Sequence, residues 1–308
     1  MDQCGWADIF QCGTIPLSDW ITNITSWIVD NYRPAFQAMK APIDNLLRTF
    51  DWALTSVPPT IMLALIVALA WRLAGRKTAV GTFCLLTLLG FIGIWKETMT
   101  TMSIVLTALV VCLALGLPLG ILAARSDRFF RVIRPFLDGM QTIPAFVYLV
   151  PIVMLFGIGN VPGVIVTVVF AVPPLIRLTN LGIRQVPSEV VEATMAFGGS
   201  KNQILWKVQI PLALPTIMAG VNQTLMMALS MAVIASMISV GGLGQMVLRG
   251  IGRLDMGFAT VGGIGIVALA IVLDRLTQGV ADAMASRTTQ KSPSRRSKIA
   301  KAPEAAKT

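Results

Sequence analysis

Val186-Pro-Ser-Glu-Val-Val-Glu-Ala-Thr-Met-Ala-Phe-Gly-Gly-Ser-Lys-Asn-Gln-Ile-Leu-Trp-Lys-Val-Gln-Ile-Pro-Leu-Ala-Leu-Pro215 is a polar, glutamate-containing stretch between two long apolar runs. The chain around it has 308 residues, 13% of them charged, and a mean hydropathy of +0.74. Soluble domains carry roughly 25% charged residues, so this composition is that of an integral membrane protein. Membrane spans are usually joined by short turns, because longer loops cost ordering entropy and gain little burial. A connection this long, with helix signals of its own, marks a docking surface outside the lipid.

Outward from that stretch, charge-poor runs long enough to cross a bilayer, about 17–25 residues, lie at Pro58–Ala74, Thr78–Trp95, Met102–Ala124, Ile143–Ile158, Val161–Ile176, Leu212–Val233 and Gly257–Leu276. The fold expected is an all-α membrane protein of about seven transmembrane helices. Gly157-Ile-Gly-Asn-Val-Pro-Gly163 concentrates turn formers, and so divides residues 143–176 into a hairpin. Gly241-Gly-Leu-Gly244 is expected to end a helix and open a short re-entrant or surface segment; an eighth span there would be cramped.

Lysine and arginine set the orientation. One side holds Arg72, Arg76 and Lys77, then Arg125, Arg128, Arg131 and Arg134, then Arg177, Arg184, Lys201 and Lys207, and the seven of the C-terminal tail. These are 18 cations against six on the opposite side. The positive-inside rule then makes the C-terminus cytoplasmic and the N-terminus external. Residues 1–57 form an exported tail, 58–285 the membrane domain, and 286–308 a basic tail read as disordered and able to touch anionic lipid. In the exported tail Trp20, Ile21, Ile24, Trp27 and Ile28 share one helical face, suited to the membrane surface or to bracing the bundle or a partner. Residues 1–30 lack the basic start and compact apolar core of a signal peptide.

Composition weighs against catalysis. There is no histidine, the commonest general base and metal ligand. No CxxC spacing exists, so no metal site is expected. Cys84 and Cys112 sit in apolar runs, whereas Cys4 and Cys12 can pair if their tail faces an oxidising compartment. The +10 net charge is spread around span ends and the C-terminal tail rather than along a groove, so no nucleic acid is expected as a partner.

In the central loop, Ser188 is placed to cap a helix with Glu189 in its first turn. Val190, Val191, Thr194, Met195 and Phe197 then form an apolar stripe, and Gly198-Gly199 stops it in a left-handed conformation. Ser200-Lys-Asn-Gln203 has the capping-box pattern and opens a second short helix, which Pro211 is expected to break before the next span. The knob so formed, over residues 186–211, suits a groove on a partner.

Glu192-Ala193-Thr194, three residues, Gly198, nine residues, and Val208-Gln209-Ile210-Pro211 resemble the EAA loop of binding-protein-dependent ABC importer permeases. That loop reads Glu-Ala-Ala, three residues, Gly, nine residues, Ile-x-Leu-Pro. The departures are Thr194, Val208 and Ile210; the Glu, Gly and Pro are intact. Gln141-Thr-Ile-Pro-Ala-Phe-Val-Tyr-Leu-Val-Pro151, Pro173 to Pro187 and Ala235-Ser-Met-Ile-Ser-Val-Gly-Gly-Leu-Gly244 resemble the permeases of glycine betaine/proline betaine importers. The likeness covers residues 98–282.

The resemblance implies a type I importer permease of the bacterial inner membrane, working as a pair of copies with two cytoplasmic ABC ATPase subunits and an external solute-binding protein. It implies that ATP and magnesium are bound by the ATPase, with no cofactor in this chain. Consistently, Gly75-Arg-Lys-Thr78 and Gly199-Ser-Lys201 are fragments without phosphate-loop spacing. It gives the ATPase-coupling role to Glu189, Glu192, Ala193, Thr194, Met195, Phe197, Gly198 and Pro211. Gln141, Phe146, Tyr148, Asn222 and Gln223 are candidates for the substrate path, because quaternary ammonium cations favour aromatic faces; helix packing is the plainer role for each. Choline or another small solute is the alternative cargo. A secondary transporter or channel would need buried coupling charges, and the spans offer almost none. Asp274 and Arg275 lie within snorkelling reach of the surface. Gly116 and Gly120 have the GxxxG spacing of close helix contact, and Met226, Met227, Met231 and Met237 suit adaptable packing.

Overall fold

A computed structural model describes residues 16–290. Cys4, Cys12 and residues 291–308 of the basic tail lie outside the described residues. The helices are α1 (Leu17–Thr55), α2 (Pro59–Ile92), α3 (Trp95–Arg125), α4 (Asp127–Thr142), α5 (Leu149–Phe156) and α6 (Asn160–Arg184). They continue as α7 (Ser188–Ala196), α8 (Lys201–Ile204), α9 (Ile210–Ala235), α10 (Leu243–Arg253) and α11 (Met256–Gln290). A 3-10 turn at Ala145–Tyr148 leads into α5, and a π-turn at Leu205–Gln209 leads into α9.

Among the described residues, five helices are long and apolar enough to cross a membrane: α2, α3, α6, the continuous Lys201–Ile238 and α11. The pair formed by α4 and Ala145–Phe156, bent by 104°, makes a sixth if taken as one span. The count differs from the seven expected at two places. The run Ile143–Ile158 does not form a span by itself, because α5 has only eight residues, about 12 Å of helix; the chain reaches it through amphipathic α4. The runs Pro58–Ala74 and Thr78–Trp95 appear as one helical stretch, α2, interrupted at Gly75 with φ 83° and ψ 177°. Unbroken, 34 residues would extend about 51 Å, well beyond the roughly 30 Å of a bilayer core. No eighth span forms after Gly244 among the described residues: α10 is an 11-residue segment, about 16 Å long.

α6 is the central pillar. In its apolar window 72% of residues are buried, against 17% in α2, which lies at the rim. α3 and α9 flank it at close range because glycine removes the side chains between them. A Cβ on Gly116 would lie 2.7 Å from the Leu175 side chain, and one on Gly120 would lie 2.6 Å from Thr179 Cβ. Gly220 of α9 meets Leu175 and Leu178 in the same way. Buried hydroxyls such as Thr107 and Thr167 donate to carbonyls one turn back, so they need no water in the core. Cys112 is fully buried and Cys84 faces outward; Met231 is buried and Met237 exposed.

The bundle has two distinct ends. At one, Lys40 Nζ donates to the Phe156 carbonyl at 3.2 Å, Asn160 accepts from Gly241 N at 2.9 Å, and Thr101 Oγ1 accepts from Leu243 N at 2.8 Å. α1 crosses this end: Leu47 and Leu54 enter the core, while the Trp20, Ile21, Ile24 and Trp27 face stays exposed. α10 lies here too, as the short segment expected after Gly241-Gly-Leu-Gly244. At the other end Arg184 joins three helices. It pairs with Asp127 at 2.6 Å and donates to Asn180 Oδ1 at 2.7 Å and to the Ala123 carbonyl at 2.9 Å. This second end carries α7 and α8.

Candidate functional site: the two-helix loop

The loop folds for local reasons. α7 begins at Ser188 itself, with Pro187 in the cap position and no side-chain cap, so the expected cap at Ser188 is corrected. Pro187 already has the extended backbone of a cap (φ −54°, ψ 131°), which lets the helix start at Ser188, one residue earlier than expected. Glu189 lies in the first turn, at the positive end of the helix.

The stop is as expected. Gly198 has φ +81°; its N–H donates to the Met195 carbonyl at 2.9 Å and Gly199 N–H to the Thr194 carbonyl at 3.0 Å. Those two bonds are the Schellman closure, which satisfies carbonyls that a helix end leaves free. The capping box is also present: Gln203 N donates to Ser200 Oγ at 3.3 Å, and Ser200 N donates to Gln203 Oε1 at 2.9 Å.

Pro211 does not break the second helix. The chain runs without interruption from Lys201 through the π-turn into α9. A proline ring clashes with the carbonyl four residues earlier in an α-helix, here that of Lys207. The wider π-turn removes that conflict: Ile210 N–H donates to the Leu205 carbonyl, five residues back.

The knob is therefore a capped, closed unit joined rigidly to α9. Phe197 is 92% exposed at its tip. Glu189, Glu192 and Ala193 are also exposed, while Thr194 is half-buried and donates to the Val190 carbonyl at 2.7 Å. Met195 turns partly inward and, with Val191, lines a cavity over the bundle shared with Ala124, Ile183 and Leu205. Arg125 Nη2 ties the base to α8 through Asn202 Oδ1 at 3.0 Å. Sequence reasoning misses Asn202 and Arg184, since a lone arginine near a span end signals orientation without naming a partner.

Of the five path candidates, the structure brings three toward one face. Gln141 Nε2 lies 3.9 Å from Met227 Sδ, Gln223 is exposed one turn from Met227, and Tyr148 Oη donates to the Gly139 carbonyl at 3.1 Å. Asn222 points away, accepting from Thr277 of α11 at 2.8 Å, so it serves helix packing. Phe146 is exposed without a ring partner among the described residues. Asp274 accepts from Gln278 at 2.8 Å, and no cluster of metal-ligating residues occurs among the described residues.

The family and the relatives that this chain matches in sequence are described as transport components. Residues 116–290 match the family described as "Binding-protein-dependent transport system inner membrane component". The glycine betaine/proline betaine transport system permease protein ProW of Escherichia coli K12 is 60% identical over 273 residues, covering 89% of this chain and 77% of that protein. The glycine betaine/carnitine transport permease protein GbuB of Listeria monocytogenes is 45% identical, covering 86% of this chain and 95% of that protein. The inward-facing MetNI methionine ABC transporter has the same fold, with a TM-score of 0.54 at 21% identity, over 65% of this chain and 96% of that one. A match across more than half of the chain, together with close relatives that are permeases, leads to one conclusion: this chain belongs to the binding-protein-dependent inner membrane transport components, as a transport subunit rather than an enzyme.

Proposed function

We propose that the chain is the permease of an ABC importer for glycine betaine and proline betaine, driven by a separate ATPase through the α7–α8 knob. The observation that carries this reading is mechanical. A knob tipped by exposed Phe197, closed by a Schellman turn and a capping box, runs without a hinge into α9. Force applied to the knob then moves α9, which carries Gln223 and Met227. The cargo assignment rests on the names of the relatives at 60% and 45% identity.

Two copies pair, each knob engages one cytoplasmic ATPase subunit that binds ATP and magnesium, and an external binding protein delivers the solute. Switching between inward- and outward-facing states follows from the ATPase favouring one of them. The knob end is cytoplasmic, as the 18-to-six cation bias favours, and the N-terminus is external. Reversal of the chain at Gly75, with α4 and α5 counted as one crossing, gives seven crossings and agrees with those two locations.

The test is uptake of labelled glycine betaine, proline betaine, choline and proline in cells supplied with the chain, its ATPase and its binding protein. ATP-dependent uptake of the two betaines is expected. Uptake that persists with an inactive ATPase, or that spares every quaternary ammonium solute, would sink the assignment.

A further inference from the structure

We propose that α4 is a seat for an anionic phospholipid at the knob end of the bundle. At 100° per residue, α4 divides into three edges. Phe130, Ile133 and Leu137 face the bundle, with Leu137 buried and Phe130 beneath the Arg184 guanidinium at 5.6 Å. Val132 and Phe136 form a second, apolar edge, 65% and 69% exposed. Arg128 and Arg131 lie on a third edge, exposed.

The acids of α4 are already engaged from α6. Asp127 pairs with Arg184 and Asp138 with Arg177, each at 2.6 Å. Arg134 reaches the same Asp138 at 3.8 Å. Arg128 and Arg131 have no carboxylate within ion-pair distance among the described residues. These pairings dock α4 against the last two turns of α6, at the knob end of the bundle. α4 runs antiparallel beside the end of α6, with Asp127 at Arg184 and Asp138 at Arg177, and bends by 104° into Ala145–Phe156. A helix at that end of the bundle with adjacent exposed cationic and apolar edges matches a lipid that brings a phosphate and an acyl chain together. A symmetric contact with a second copy fits less well, because it would set the arginine edges of the two copies against each other.

The test uses the full-length chain in mild detergent with equimolar phosphatidylglycerol and phosphatidylcholine, read by native mass spectrometry. Preferential retention of phosphatidylglycerol is expected, and Arg128→Gln/Arg131→Gln should reduce that preference by about tenfold without shifting the melting temperature. In vesicles, a fluorophore on Phe136→Cys should be quenched by acyl-brominated lipid. Unchanged preference in the double variant overturns the proposal. So does an unquenched label, or a Phe136→Cys disulfide joining two copies.

Discussion

Glycine enters the helix seam and the knob for different physical reasons. At Gly116, Gly120 and Gly244 the backbone is ordinary helix and the limit is space: a side chain would strike Leu175, Thr179 or the Ala232 carbonyl. At Gly198 no atom lies within 4 Å of the place a Cβ would occupy, and the limit is the positive φ. Gly116 and Gly120 let α3 close on the α6 pillar, and Gly244 lets α10 close on α9. The loop glycine shapes a protrusion whose absence would leave the bundle intact. Folding and coupling are therefore separable by substitution.

The sharpest break of that contrast is Gly244→Ala. Its Cβ would press on the backbone oxygen of Ala232, which cannot rotate away, so a destabilisation above about 3 kcal/mol is expected. Thermal unfolding of the purified chain checks it; a wild-type melting temperature would mean the seam is loose. Phe197→Ala should leave folding unchanged but weaken ATPase binding by about 2 kcal/mol, roughly thirtyfold, as loss of a central aromatic anchor does. Surface plasmon resonance against the isolated ATPase measures this, and unchanged affinity would remove Phe197 from the interface.

Gly198→Ala, forced to φ +81°, should cost about 1–2 kcal/mol of local strain. Membrane levels should be normal while ATP-driven uptake falls. Equal losses of both would erase the distinction between seam and knob. Ser200→Ala removes one half of the capping box and should cost about 1 kcal/mol, seen as faster amide exchange confined to residues 200–205. The smallest effect is expected at Gly81, where nothing lies within 4 Å and φ is not positive. Gly81→Ala there should be neutral or stabilising by less than about 1 kcal/mol.

What is legible in the sequence follows from local chemistry. The capping box at Ser200, the stop at Gly198-Gly199 and the surface segment after Gly241-Gly242 each depend on a few neighbouring residues, and each lies where expected. The Gly116/Gly120 spacing is also informative, although spacing alone does not name its partner on α6. Amphipathic α4 escapes a scan for apolar runs, because Arg128, Arg131 and Arg134 mark a cytoplasmic connection by their charge. Their alternation with Phe130, Ile133 and Leu137 nonetheless carries a helical period. Pro211 misleads because the rule that proline breaks a helix assumes an α-helical turn before it. Among the path candidates, Asn222 and Gln223 are adjacent in sequence yet face different neighbours, a distinction only the placement of α11 resolves.

The π-turn at Leu205–Gln209 sets an angular phase as well as relieving Pro211. It inserts one residue into the helical count between α8 and α9. Because each residue turns the helix by about 100°, that insertion fixes the compass bearing of Gln223, Met227 and Ser230 relative to the knob. Rewinding the turn as plain α-helix with every residue kept would leave an unbroken rod of almost the same length. Its polar strip, however, would be swung about a quarter-turn out of alignment.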